Sequence, residues 1–145
     1  MPDEKRLLDL GGGPNWDSHW GEKDAWVAQA MEALHFVHLA RKFPQKQFFV
    51  FDFGIPTDYS KKLQKELPNL RFCIGFLTPQ DCLPFQDESF DSVEMNFIYT
   101  PFSIQDEWYK RFDGFGRSIV TYLRALMESS RILKSKGTLI IRERR

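Results

Sequence analysis

The chain has 145 residues, 42% of them hydrophobic and 15% aromatic, enough for one real core and too apolar for a disordered segment. Twenty basic residues balance twenty acidic ones, so nucleic-acid binding through bulk charge is disfavoured, although a local patch stays open. The opening MPDEKR is charged rather than signal-like, and no apolar run is long enough to span a bilayer. A single cytoplasmic domain over residues 1–145 is therefore the expectation.

Arg6 to Leu10 is a short apolar run ending in three glycines and PN, as a buried strand feeding a sharp turn would. Polar PNWDSHWGEKD follows as a loop. From about Lys23 to Phe43 the spacing of Trp26, Ala30, Met31, Leu34, Val37 and Leu39 predicts one long helix, stopped by Pro44. FFVFDF, from Phe48 to Phe53, is the second strand, with Asp52 near its end. A helix from Tyr59 to Leu67 follows, capped by Thr57 or Asp58 and stopped by Pro68.

Leu70 to Leu77 is the third strand, and Phe90 to Phe97 alternates as the fourth. After a polar-aromatic stretch, a helix from about Arg117 to Lys134 carries Ile119, Tyr122, Leu123, Leu126, Met127, Ser130 and Leu133 on one side. Ser135-Lys136-Gly137 ends it, glycine being the usual left-handed stop, and Thr138 to Arg142 is the fifth strand. Strands alternating with helices predict an α/β fold, a mostly parallel sheet with helices on its faces. Ligands of such sheets bind beyond the carboxyl ends of the strands, where strand order reverses, and the glycines lie at such an end.

Asp52 at the end of the second strand suits two ribose hydroxyls, though it follows Gly13 by more than the roughly twenty positions usual in a dinucleotide-binding unit. GGGPN also lacks the G-x-G-x-x-G spacing that grips a pyrophosphate. It suits a ligand carrying a charged amino-acid moiety, whose ammonium Asp9 can attract. Cys73 and Cys82 are expected as free thiols, without the His/Cys company a metal site needs.

LLDLGGGPN, FFVFDF, LPFQDESFDSVEMNF and SSRILKSKGTLII stand in an order that resembles the class I S-adenosylmethionine-dependent methyltransferases, most of all their ubiquinone/menaquinone-biosynthesis-type branch. The resemblance implies a Rossmann-like, doubly wound five-stranded sheet with S-adenosyl-L-methionine as cofactor. It implies a cofactor loop of Asp9, Gly11, Gly12, Gly13 and Asn15, ribose contacts from Asp52 beside Phe53, and an adenine side from Pro79 to Cys82. Asp81 would stand in there for the family's usual acid, which aligns with Pro79. Asn96 and Phe97 would line the methyl side, with His19 and Tyr99 as candidate bases.

Asn15 stands where the family has its last loop glycine, and the sheet is expected to lack the family's usual antiparallel hairpin after the fifth strand. That leaves a fifth-strand edge for which a homodimer is the expected cover. A small-molecule acceptor is favoured over a macromolecule. The other reading is a catalytically silent module of the same fold, serving binding or assembly.

Overall fold

The computed structural model describes residues 5–11, 24–52, 57–75, 77, 80–96 and 114–142. Five parallel strands form one sheet: β1 (Arg6–Leu10), β2 (Gln47–Asp52), β3 (Leu70–Ile74), β4 (Phe90–Asn96) and β5 (Leu133–Arg142), in the order β3-β2-β1-β4-β5. Helices α1 (Asp24–Glu32) and α2 (His35–Lys42) join β1 to β2, α3 (Thr57–Glu66) joins β2 to β3, and α4 (Gly114–Ile132) joins β4 to β5. Strand order thus runs outward both ways from the β1–β4 junction, the switch point of a doubly wound sheet.

Alternation along the strands sorts the core into two layers. Phe48, Val50 and Leu70 pack with Met31, Leu34, Phe36, Val37, Ala40 and Leu63 from α1 to α3. Leu8, Leu10, Phe51, Val93 and Met95 face the other way and pack with Leu83, Ala125 and Ile132. In that second layer Phe85 and Phe90 meet edge-to-face with centroids 5.0 Å apart, and Phe49 meets Phe90 at 5.3 Å, the geometry favoured by ring quadrupoles. The Arg6 guanidinium lies 4.9 Å from the Phe49 centroid and 5.1 Å from that of Phe90, closing the cluster with a cation.

Three expectations need correction. The single helix from Lys23 to Phe43 is two, because Leu34 is extended (φ −62°, ψ 135°) between them. The break turns Phe36, Val37 and Ala40 into the same core as Met31 and Leu34, and burial outweighs the helical bonds given up. A salt bridge from Arg41 to Glu32, 2.6 Å long, ties the far end of α2 back to α1.

Of the residues expected on one side of α4, Tyr122, Leu126 and Leu133 do pack against the core. The fully buried stripe, however, is Ala125, Glu128, Ser129 and Ile132, whereas Leu123 and Met127 are 50% and 63% exposed and Ser130 is exposed too. The contact face is thus the expected one turned slightly, so that Ala125 and Ser129 are covered and Leu123 and Met127 are not. Finally, α4 passes into β5 without the expected left-handed stop. Leu133 pairs with Phe90 and Thr138 with Ser92, so four residues of β5 loop out opposite one of β4. Gly137 is required there by close approach: a Cβ would sit 2.9 Å from the Lys134 carbonyl and 3.2 Å from that of Asp91.

Asn69 holds two connections together. Its buried side-chain amide donates to the carbonyls of Ala40, Phe43 and Lys46 at 3.0–3.1 Å, pinning the α2–β2 turn beneath the start of β3.

Candidate functional site at the carboxyl ends of the strands

Gly11 leaves β1 with φ 83°, a conformation that favours glycine, and its N–H donates to the Phe51 carbonyl at 2.8 Å. That bond extends the β1–β2 ladder by one rung, so the turn at Gly11 begins beside Asp52. Asp52 is half-buried, and its carbonyl accepts the Gly75 N–H at 3.1 Å, which brings the end of β3 to the same edge.

Asp9 lies one pair deeper. It is 3% exposed and sits directly opposite Glu94 in the β1–β4 ladder. Asn96, at the end of β4, donates its side-chain N–H to Asp9 Oδ1 at 2.5 Å and, more weakly, to Glu94 Oε2 at 3.4 Å. Arg142 at the end of β5 reaches the same Glu94 oxygen at 3.4 Å. Burial pushes the Asp9 carboxyl up to about 7, the Asn96 hydrogen bond opposes this, and the charges of Glu94 and Asp52 add to it. With Nδ2 turned to two carboxylates, Asn96 Oδ1 is left buried without a partner among the described residues.

Beyond β3, Asp81 and Cys82 are exposed, just ahead of a firm anchor. The Leu83 N–H donates to Glu128 Oε1 at 2.5 Å, and Arg131 donates to the Leu83 and Phe85 carbonyls at 3.0 and 2.8 Å. Arg131 also grips Glu128 through Nε at 2.8 Å and Asp87 at 2.8 Å. Hydrogen bonds from Arg131, first of all, hold the Glu128 carboxyl below its ordinary value.

The structure thus gathers Asp9, Gly11, Asp52 and Asn96 at adjoining strand ends and puts Asp81 and Cys82 on the anchored segment after β3. Gly12, Gly13, Asn15, His19, Phe53, Pro79, Phe97 and Tyr99 lie outside the described residues. Cys73 and Cys82 are both free thiols, Cys73 half-buried with its pKa raised by burial. Sequence reasoning missed Glu94, Arg142, Glu128 and Arg131. A charged residue between Val93 and Met95 in a central strand was the available signal for Glu94.

No helix among the described residues is long and apolar enough to cross a membrane. No family model matches the chain, and no curated protein matches it. Solved structures do share its fold. Phosphoethanolamine N-methyltransferase 1 of Haemonchus contortus, in complex with phosphoethanolamine and S-adenosylhomocysteine, matches 97% of this chain and 22% of that one at 14% identity and a TM-score of 0.55. A SAM-dependent methyltransferase from Aquifex aeolicus matches 95% of this chain and 56% of that one at 15% identity, TM-score 0.54. A TehB-like SAM-dependent methyltransferase from Corynebacterium glutamicum matches 97% and 55% at 15% identity, TM-score 0.50. The chain spans from about a fifth to just over half the length of these proteins. At such identities the likeness is one of fold, the α/β sheet flanked by helices.

Proposed function

We propose that this chain is an S-adenosylmethionine-dependent methyltransferase domain acting on a small-molecule acceptor. The observation that carries the reading is the left-handed bend at Gly11, closed on the Phe51 carbonyl beside Asp52, at the switch point of the sheet. The shared fold supports it, as do the LPFQDESFDSV and RILKSKG segments, which favour the ubiquinone/menaquinone-type branch.

The residues present fit such a cofactor. Asp52 offers a bidentate acceptor for ribose hydroxyls, and bare backbone at Gly11, continued by Gly12 and Gly13, allows close approach. Asp9 and Asn96 Oδ1, which has no partner among the described residues, offer negative potential and an acceptor to an amino-acid ammonium. Asp81 and Cys82 border the adenine side, held by the Glu128–Arg131 clamp. When bound, S-adenosylmethionine supplies an already activated methyl group on a sulfonium. The chain's own task is then position: Asn96, with Phe97 next to it in the sequence, would line the methyl side and keep nucleophile and methyl at near-attack distance. His19 and Tyr99 are the base candidates for an acceptor that must lose a proton.

Calorimetry with S-adenosylmethionine and S-adenosylhomocysteine tests the proposal. Binding is expected, and Asp52→Ala should weaken it by about 1–3 kcal/mol. An unchanged affinity in that variant removes the ribose assignment. No heat with either ligand at millimolar concentration favours the silent module.

The same proposal extends to assembly. β5 is an edge strand of the described sheet, with Ile141 42% exposed on it and Leu123 and Met127 exposed on the helix it follows. We propose that a second copy of the chain covers this edge. Sedimentation at micromolar concentration should show a dimer, and a stable monomer would count against it.

A further inference from the structure

Asp9 and Glu94 are register partners, so both carboxylates stand on one face of the sheet, neighbours in adjacent strands and both more than nine-tenths buried. Like charges so placed repel, and burial makes the repulsion costlier. One amide group bridges them: Asn96 Nδ2 donates 2.5 Å to Asp9 and 3.4 Å to Glu94. With both acids ionised, turning that amide over would set its oxygen against two carboxylates, so in that state Oδ1 faces away from them. The carbonyl oxygen is 95% buried with its residue and has no partner among the described residues. Among the described residues, the charges that bear on Asp9 are Glu94 on β4, Asp52 on β2 and, with opposite sign, Arg142 on β5. Arg142 approaches from outside, its side chain 48% exposed and 3.4 Å from Glu94.

Two buried carboxylates and an idle carbonyl oxygen, with a guanidinium only at the rim, make a place that favours an added positive charge. We infer that Asp9, Glu94 and the Asn96 carbonyl oxygen form a cation subsite in which a proton and a ligand ammonium compete, so that binding at the Gly11 bend expels a proton. This rests on the reading of the bend as the seat of an adenosyl amino acid and names how that seat is regulated. The proton leaves the Asp9 carboxyl for solvent, and the ammonium takes over its electrostatic role. Since burial holds the Asp9 carboxyl near 7, the exchange falls in the neutral range. The Glu94 carboxylate adds to this sensitivity, although it ends no strand and belongs to no recognised motif.

S-adenosylhomocysteine and 5′-methylthioadenosine, the same nucleoside without the amino-acid part, are titrated calorimetrically into the intact chain from pH 5.5 to 8.5. Two buffers of different ionisation heat count the protons. S-adenosylhomocysteine should tighten close to tenfold per pH unit up to about 7 and level off above it, with about one proton released below the break. 5′-Methylthioadenosine should bind with no such dependence. Glu94→Gln should move the break to lower pH while keeping the slope, and Asp9→Asn should leave weak binding with a flat profile. A flat profile for S-adenosylhomocysteine in the unaltered chain overturns the proton competition and leaves the donor reading standing. A slope shared equally by both nucleosides overturns it too, because the titrating group is then elsewhere. Binding of neither at any pH overturns the donor reading and the subsite together.

Discussion

Arg131→Ala is expected to lower folding stability by about 3 kcal/mol, the scale found when one partner of a buried ion pair is removed. The guanidinium is 29% exposed but its partner Glu128 only 5%, so truncation strands a buried carboxylate. It also frees the Leu83 and Phe85 carbonyls that the guanidinium bonds at 3.0 and 2.8 Å. Two longer-range bonds depend on the same corner, from the Glu88 N–H to the Arg131 carbonyl and from the Ser89 N–H to that of Ile132. Urea unfolding at neutral pH measures the loss. A cost below about 1 kcal/mol would place the cluster with ordinary surface ion pairs and sink the idea of a clamp. Adding Glu128→Gln to the variant should recover part of the loss, since a neutral amide keeps an acceptor for the Leu83 N–H without a stranded charge. Hydrogen exchange at Leu83 should quicken in the single variant, because this amide anchors the segment bearing Asp81 and Cys82.

Much of this architecture was legible in the sequence, for physical reasons that also mark where reading stops. Strands β1, β2 and β4 announce themselves because apolar residues run unbroken or alternate along them, with Asp9, Asp52 and Asn96 at or one residue before their carboxyl ends. The glycine bend was visible because three glycines are costly unless backbone must do something a side chain forbids. The break at Leu34 was hidden, as neither proline nor glycine marks it and helical spacing continues across it in a different frame. The seat of α4 was legible at Tyr122, Leu126 and Leu133 but not at Leu123 and Met127, because weighing apolar size passed over Ala125 and Ser129, both 0% exposed. Gly137 imitates a helix stop because spacing alone does not distinguish a left-handed turn from a crowded one. Glu94 escaped because strand alternation assigns every second residue to solvent, whereas both faces of a central parallel strand are covered.

Asp9→Asn should make the protein more stable at pH 8, by about 1–3 kcal/mol, while weakening S-adenosylhomocysteine binding. The carboxyl titrates near 7 in the folded chain against an ordinary value of 3.8, chiefly through burial. Folded protein therefore holds a proton that the unfolded chain gives up between those values, and stability falls as pH rises through that window. Below it the penalty is absent; above it the penalty is complete, with an upper bound of about 4 kcal/mol at 1.36 kcal/mol per pKa unit. Asparagine escapes the penalty, keeps an oxygen to accept the Asn96 N–H now made at 2.5 Å, and offers Glu94 a donor in place of a charge. Urea midpoints for both proteins from pH 4 to 8 test this. The variant's advantage should shrink toward pH 4, where the unaltered chain is protonated at Asp9 in its folded state. Glu128 and Asp91 act with the opposite sign: their carboxyls are held below ordinary values, so the stability they add is present at neutral pH and lost in acid. They are common to both proteins, and the difference between the two curves isolates Asp9. A difference of zero at pH 8, or one that does not change with pH, would mean that the carboxylate is well solvated or fully compensated. A buried acid that weakens the fold is a mark of functional sites, and the ammonium proposed for the Gly11 bend is what such a charge would serve.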